Sequence, residues 1–486
     1  MENEKSKGSK ALNIKLLLGG LMISLLVGAL DNSIMSTAMP QVITSLGGMA
    51  YYVWPFTIYL LTSTIAIILS GKLSDIYGRK KFLITGIIIF ITTSVLCGFS
   101  QNIMELTFFR GLQGIGGGIL MTIPFIVVAE VFPPRERGKY MGILSSVFGF
   151  ANVLGPVLGG FITDFMGWEW VFYVNIPVGI AAIYMLRSYF PNLELVVKEG
   201  SIDYAGIVTL TAALSGLFLG LTFVRDTAVS SGLAATLFIF AAVMIVLFIY
   251  AEKKAREPIL PMKLFKNSIF NVSSIAMFLS SAVMFCGIIY IPLFIQGVQG
   301  MSASTSGLLI IPMLVSLTVA SIATGQVISR TGTYKKLGVL AFVLLTIGIW
   351  LLSTMNTSTG YLALVIYSTI MGIGTGMMYP IFNVAVQNAV SLRDLGTVTA
   401  SMQFFRNIGA TVALPIFGVI VNLSVNMNIQ TAKNVPPELM SLGIHNVFLS
   451  GLVISVAGLL VCLFLKEKVL ASRGGFEGDK KELHGK

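Results

Sequence analysis

Three ionisable side chains, Asp31, Arg110 and Arg406, stand inside long apolar runs of the sequence. A charge in bilayer hydrocarbon costs roughly 2.5–3.5 kcal/mol or more, so each is a candidate for chemistry. The chemistry open to this set is proton transfer and electrostatic binding. An aspartate can take up and release a proton, a nearby arginine holds it ionised, and enclosure away from water favours its protonated form. Asp31 lies about 16 residues, roughly 24 Å, into its run, and Arg110 about 7 residues, roughly 10 Å, below the opposite end of its own. Their similar depth is compatible with a coupled proton site or with a permanent ion pair knitting two helices. Glu130, at the far end of Arg110's run before Phe132-Pro133-Pro134, is a further candidate for proton coupling or gating, or a partner for Arg135 or Arg137. Arg406 lies about 10 residues into its run, with no acid in the core of any C-terminal run. With Thr399, Gln403, Asn407 and Ala410 it forms a stripe at helical spacing. Tyr379, Asn383 and Gln387, at i, i+4 and i+8 of the preceding run, could orient a ligand.

Composition sets the elements that must hold these groups. The 486 residues are 55% hydrophobic and 11% charged, with a mean hydropathy of +0.87, against roughly 25% charged in soluble chains. No soluble core hides so much apolar sequence behind so few charges, so the chain reads as an integral membrane protein. Apolar runs of about 20 residues, enough to cross roughly 30 Å of hydrocarbon, number fourteen, from 15–39 and 51–71 through 140–163 and 169–188 to 443–465. The net charge of +11 resolves by position. With the N-terminus inside, 28 of the 32 Lys and Arg fall on inner segments, two (Arg225 and Lys433) outside, and two (Arg110 and Arg406) within spans. That is a positive-inside pattern with both termini cytoplasmic, not a nucleic-acid footprint. The first run is too long for a cleaved signal sequence and reads as a retained helix. Cys97, Cys286 and Cys462 lie in apolar runs at unrelated spacings, and His445 and His484 complete no ligand set, so neither a metal site nor a disulfide framework is indicated. A membrane-embedded enzyme needs clustered acids or histidines, whereas Asp164, Glu169, Asp226 and Glu438 are scattered over the outer loops; no enzymatic activity is expected.

The sequence also echoes itself. Gly71-Lys-Leu-Ser-Asp75-Ile-Tyr-Gly78-Arg79-Lys80-Lys81 is paired with Gly325-Gln-Val-Ile-Ser-Arg330-Thr-Gly332-Thr-Tyr-Lys335-Lys336, Gly114-Ile-Gly116-Gly-Gly118 with Gly372-Ile-Gly374-Thr-Gly376, and Arg135-Glu-Arg-Gly138 with Arg393-Asp-Leu-Gly396. The offsets are 254, 258 and 258 residues, eight spans apart. Such an offset predicts a six-helix bundle, two intervening helices and a second six-helix bundle of the same orientation.

Over nearly its whole length the chain resembles the major facilitator superfamily, and within it the fourteen-helix drug:proton antiporter subgroup. The signature G-x-L-x-D-x-x-G-R-K-K is matched at Gly71, Leu73, Asp75, Gly78, Arg79, Lys80 and Lys81, with Ile76 where an Arg is common. Physically, Gly71 lets helices approach and Asp75 can bridge the basic turn or meet a helix N-terminus, so Gly71, Asp75, Gly78, Arg79 and Lys80 form a candidate conformational latch. Arg110-Gly-Leu-Gln113-Gly114 resembles the family's R-G-x-x-Q-G-x-x-G segment; a dinucleotide site would need a glycine at Ile119, and there is no G-x-x-x-x-G-K-[ST] loop, so no nucleotide is expected. Gly155-Pro156-Val-Leu-Gly159-Gly160 resembles the antiporter motif, with Ala151 in place of a leading Gly; Gly155, Pro156, Gly159 and Gly160 are the expected bend. Leu30-Asp31-Asn32 to Pro40 and Trp168-Glu-Trp170-Val-Phe172-Tyr-Val-Asn175-Ile-Pro177 further resemble the subgroup, Glu169 standing where a basic residue is common.

The resemblance implies an all-α polytopic fold: tail 1–14, bundle 15–190, two additional helices and linkers 191–267, bundle 268–466 and tail 467–486. It implies a proton-coupled antiporter exporting amphipathic small molecules (drugs, antibiotics, dyes) by alternating access. A lipid or glycolipid translocase on the same fold is the alternative; an importer or uniporter is also open. The expected partners are the substrate, protons and the lipid bilayer, with no nucleic acid, no nucleotide and no cofactor beyond the proton gradient, and the expected state is a monomer in a bacterial cytoplasmic membrane. Helices 1 and 4 line the central cavity of the resembling fold, and the expected cavity set is Asp31, Met35, Gln113, Met121, Tyr379, Asn383, Gln387, Gln403, Arg406 and Asn407. Counting Asp31, Arg110 and Arg406 the core is net +1, and +2 once Asp31 is protonated, a bias against dications that suits zwitterionic, neutral or anionic amphiphiles. The 23 Met suit adaptable walls as well as ordinary packing.

Overall fold

A computed structural model of the chain describes residues 14–131, 134–190, 203–223, 231–255, 258, 260, 262–390, 395–425 and 435–468. All regular elements among them are helical: α1 (Ile14–Leu46), α2 (Trp54–Tyr77), α3 (Arg79–Gly98), α4 (Ile103–Val131), α5 (Pro134–Phe165), α6 (Trp170–Tyr173), α7 (Asn175–Tyr189), α8 (Tyr204–Phe223), α9 (Ser231–Lys254), α10 (Ser268–Gly297), α11 (Ala303–Thr331), α12 (Lys335–Ser353), α13 (Tyr361–Gln387), α14 (Leu395–Val425) and α15 (Pro437–Leu463), with two short 3-10 turns. They supply fourteen segments long and apolar enough to cross a membrane, as the hydropathy pattern requires.

Three helices depart from the apolar runs in ways that bear on function. α1 continues through Pro40 to Leu46, where the apolar run stops at 39; a membrane helix tolerates the lost amide because neighbouring groups re-satisfy the freed backbone. α5 runs past its apolar stretch to Phe165 and so takes in Asp164. The sixth crossing is broken at Val174 into α6 and α7. Pro177 explains the break: its ring opposes the carbonyl four residues back, at Tyr173, whereas the first turn of a new helix accepts it.

The sequence repeat has a structural counterpart in how glycines seat one helix on two others. Side-chain atoms added at Gly114 and Gly118 of α4 would meet α2 at Tyr59 and Ser63, and one added at Gly116 would meet α3 at Gly86 and Phe90. On α13, Gly372 and Gly376 face α11 at Met313 and Leu317, while Gly374 faces α12 at Ala341 and Leu345. The two glycines seven residues into the echoed loops, Gly78 and Gly332, both have positive φ, 89° and 69°, at the junctions α2–α3 and α11–α12. Two residues beyond each stands a clip to the end of the sixth helix of its half. Lys80 Nζ donates to the carbonyls of Arg187 (3.0 Å) and Phe190 (3.2 Å). Tyr334 Oη donates to the Lys466 carbonyl (3.0 Å) and accepts from the Lys468 amide (2.9 Å), while Glu467 accepts the Tyr334 and Lys335 amides that open α12.

Contacts group the chain into two compact units: Met1–Ile259 with Ile288–Ile311 and Leu414–Ile444, and Leu260–Gly287 with Pro312–Ala413 and His445–Lys486. In this grouping by contacts the outer segments of α10, α11, α14 and α15 belong to the first unit. Within that unit Tyr52 Oη donates to the Ile289 carbonyl (3.1 Å), Gln296 Nε2 to the Thr37 carbonyl (2.9 Å) and Asn422 Nδ2 to the Ala50 carbonyl (3.1 Å). Asp164 accepts the first two amides of α11, Ala303 (3.1 Å) and Ser304 (2.8 Å), and Ser302 Oγ accepts the third, Thr305 (3.1 Å). An acid that a loop reading scatters outside thus caps a helix, an arrangement favoured by the exposed amides and by the helix dipole.

The glycine seats make a contrast. Gly374→Ala forces a methyl to within 2.5 Å of the Leu345 amide, and is expected to destabilise by about 1–3 kcal/mol. Gly325→Ala, with nothing within 4 Å and a helical backbone, is expected to be neutral or stabilising by up to about 1 kcal/mol. Thermal melting of the two purified variants measures both signs.

Candidate functional site

Asp31 and Arg110, expected to meet from their similar depth and from the cavity-lining place of helices 1 and 4 in the resembling fold, do meet: Arg110 Nη1 donates to Asp31 Oδ2 in an ion pair whose residues are 0% and 2% exposed. α1 and α4 pack together, and Gly28 of α1 lets Met121 and the Gly117 carbonyl of α4 lie close by. The carboxylate's other oxygen is held by two amides. Gln113 Nε2 donates to Asp31 Oδ1 (3.1 Å) and Asn175 Nδ2 donates to the same atom (3.2 Å). Gln113 also donates to Ser94 Oγ (2.7 Å), while its own carbonyl oxygen accepts from Arg110 Nη1 (2.7 Å) and from Cys97 Sγ (3.7 Å). Asn175 reaches Ser94 Oγ at 3.5 Å. Ser94 in turn donates to the Phe90 carbonyl (2.8 Å), so the network runs across α1, α3, α4 and α7 without a gap.

The guanidinium is satisfied unevenly. Nη1 makes both of its hydrogen bonds, whereas Nε and Nη2 have no hydrogen-bond partner among the described residues. Those donors lie among rings instead: the guanidinium carbon is 4.2 Å from the Tyr59 ring centroid and 6.0 Å from that of Phe172. The ring faces supply an electrostatic contact of about 0.5–2 kcal/mol without accepting a directed hydrogen bond. The arrangement binds a carboxylate with three donors and leaves donor capacity in reserve, which is a site where gain of a proton would change every contact.

Of the expected residues, Gln113 stands in the hydrogen-bond shell of Asp31. Met35 is buried within α1's packing, and Met121 lies against Gly28. Gly155 and Gly159 let α5 approach Ser33, Ile34 and Thr37 of α1, and Gly160 approaches Ala303 and Ser304; the helix remains continuous through Pro156. Arg79 donates to Ser74 Oγ. The side chains of Asp75 and Glu130 and the surroundings of Gly71 lie outside the described residues, so the latch and the Glu130 proposal rest on sequence. In the second unit Arg406 CZ is 5.5 Å from the Tyr379 ring centroid, Asn383 Nδ2 donates to the Tyr379 carbonyl (2.8 Å), and Gln387 Nε2 donates to Thr399 Oγ1 (3.0 Å). Gln403 and Asn407 are half-buried on the same helix as Arg406.

Ser94, Asn175 and Tyr59 were not singled out by sequence. Asn175 carried a signal, a carboxamide inside the Trp168 to Pro177 motif with no turn to explain it. Ser94 carried none, because hydroxyls in spans commonly bond their own helix, as Thr93 does to Ile89.

Comparison with known proteins gives the family and the fold. The profile described as Major Facilitator Superfamily matches residues 21–414. The Bacillus subtilis (strain 168) "Multidrug transporter protein MdtP" is 40% identical over 434 residues, covering 89% of this chain and 79% of that protein. "Multidrug resistance protein 3" of the same organism is 34% identical over 414 residues, covering 85% and 80%. Among solved structures, an auto-inhibited POT family peptide transporter superposes with a TM-score of 0.67 at 10% identity, covering 94% of this chain and 98% of that one. A D-xylose-proton symporter gives 0.63 at 14%, covering 93% and 97%; at such identities the likeness is one of fold.

Removing one member of a buried ion pair costs about 3–5 kcal/mol because the other charge is stranded. Arg110→Met is therefore expected to lower the melting temperature sharply, and Asp31→Asn combined with Arg110→Met to recover most of the loss. Additive losses in the double-mutant cycle would show that the two residues act independently.

Proposed function

The chain belongs to the major facilitator superfamily, and we propose that it exports amphipathic small molecules in exchange for protons, with Asp31 as the proton-accepting group. The observation that carries this reading is the buried carboxylate of α1 held by three donors from two other helices, α4 and α7. The names of the two Bacillus relatives, a multidrug transporter and a multidrug resistance protein, support drug-like cargo and a bacterial cytoplasmic membrane.

The exchange follows from the electrostatics of the pair. While Asp31 is ionised, its two oxygens accept from Arg110, Gln113 and Asn175 and bind α1 to α4 and α7. A proton on Asp31 removes the ionic attraction and turns one of its oxygens into a donor, so that donor faces donor. Arg110 is then a buried charge with no counter-ion, a state that costs several kcal/mol and favours rearrangement of the helices. Proton binding at one site thereby biases a conformational equilibrium, which is what coupling to transport requires. The other device is the outer closure of the first unit, where Asp164 bridges α5 to the start of α11 and Gln296 ties α10 to α1. We place Asp164 as a breakable strut of the outward-closed state.

Asp31→Asn keeps the shape of the side chain and imitates the protonated state, so the variant is expected to fold. In everted vesicles with an imposed pH gradient and a panel of dyes and antibiotics, its transport should fall to that of vesicles lacking the protein; retained pH-driven transport would sink the proposal. Asp164→Ala removes a helix cap worth about 0.5–2 kcal/mol, which is roughly 2- to 30-fold in an opening equilibrium. A cysteine introduced at Val53, buried beneath the outer contacts at Gly418, should then react with an impermeant maleimide faster by that factor.

A further inference from the structure

We propose that Arg406, set against Tyr379, is the site that recognises an anionic group on the transported molecule, so that the substrate class is an anion joined to an aromatic or apolar body. This rests on the export reading above and adds the chemistry of the cargo. The first support is charge balance. Arg110 has its acid in Asp31, but between Ser268 and Glu438 the sequence holds a single acidic residue, Asp394, about 12 positions before Arg406. Among the described residues no carboxylate pairs with Arg406. A guanidinium cannot lose its proton in a protein, so it cannot escape the cost of a membrane setting by neutralising itself. The charge must be met by water or by an anion that comes and goes.

The second support is the form of the surroundings. Arg406 lies about 11 residues, roughly 17 Å, along α14 from Leu395, and Tyr379 about 8 residues, roughly 12 Å, from the inner end of α13. The Gln387–Thr399 hydrogen bond pins the inner ends of these helices together, and Asn383 fixes the main chain at Tyr379. Tyr379 keeps 42% of its surface exposed although it sits well inside a span. Arg406 is half-buried, so its fork remains reachable, and Gln403 and Asn407 place carboxamides on the same helix. A guanidinium fork binds carboxylate, sulfonate or phosphate oxygens bidentately, and an exposed ring beside it receives the apolar body. A cation in the same place would face Arg406 with no acid in the unit's spans to offset it.

A carboxylate on a soluble amphiphile and a phosphate on a lipid headgroup share this chemistry, and a binding experiment separates them. The full chain in nanodiscs is titrated with pyrenebutyrate and with its methyl ester, alone and with dioctanoyl phosphatidylglycerol as competitor. The unmodified chain should prefer the acid. Arg406→Gln should weaken acid binding about 10- to 100-fold, the range of a lost charged hydrogen bond, while leaving the ester within about twofold. Arg406→Lys should restore part of the loss, and Tyr379→Leu should weaken both ligands about 2- to 5-fold. Competition by phosphatidylglycerol that disappears in Arg406→Gln assigns the anion to a lipid headgroup; absence of competition assigns it to the soluble carboxylate, and either supports the site. Equal weakening of acid and ester, or no preference of the unmodified chain for the acid, overturns it. Binding is measured with no pH gradient imposed, so failure of proton-driven transport and failure of anion recognition are read independently.

Discussion

A carboxylate and a guanidinium removed from water must find each other, and that requirement organises the first half of the chain. Asp31 and Arg110 compensate one another only if α1 and α4 touch, and the remaining oxygen of Asp31 is held only if α7 also arrives. The glycines make this possible. Gly28 opens α1 to α4, Gly116 brings α3 under α4 so that Ser94 lies beneath Gln113, and Gly98 admits the Tyr173 ring so that α6 lies against α3. The break at Val174 then starts a new helix at Asn175, with its carboxamide on the acid. Each of these features is minor alone; together they place three donors on one buried carboxylate.

The two halves use one scaffold for different ends. Alternating glycines on α4 and α13 seat each helix on two neighbours, positive-φ glycines turn the chain at Gly78 and Gly332, and Lys80 and Tyr334 clip the following helix to the end of its half. The backbone plan is thus shared. The charges are not: the first half encloses a neutral pair, and the second carries a half-buried cation with no acid in the core of its spans. A proton site needs an acid with its partner at hand, whereas a ligand site needs an unmet charge, so in the export cycle proposed above the two tasks fall to different halves.

Much of this was legible in the sequence because a bilayer imposes simple rules. Fourteen apolar runs gave fourteen crossings, and the few charges within them were conspicuous against hydrocarbon. The shared depth of Asp31 and Arg110 followed from the fixed rise of a helix, and that their helices are neighbours followed from the family resemblance. What stayed hidden depended on neutral polar groups or on tertiary partners. Ser94 looks like any span hydroxyl until Gln113 is placed above it, and Asn175 has no charge to mark it. Asp164 lay one residue beyond the apolar run 140–163 and read as a solvated loop acid; only the extra turn of α5 and the uncapped start of α11 give it a task. The apolar run stops at 39 because hydropathy falls at Pro40 and Gln41, whereas α1 itself continues to Leu46.

The strengths of these contacts sort the structure into what can move and what cannot. Where glycine lets one backbone lie on another, as Gly374 on α12, the fit is close enough that a methyl group has no room, and such helices travel together. The outer contacts of α1, α2 and α5 with α10, α11 and α14 are of another kind: single amides or a hydroxyl on main-chain carbonyls, and one carboxylate on two amides. Each contributes about 0.5–2 kcal/mol net. A sum of a few kcal/mol is within reach of one proton or one ligand that prefers the open state by a factor of a hundred or a thousand. Breaking the buried Asp31–Arg110 pair by removing one partner costs about 3–5 kcal/mol, more than any one of these outer contacts contributes.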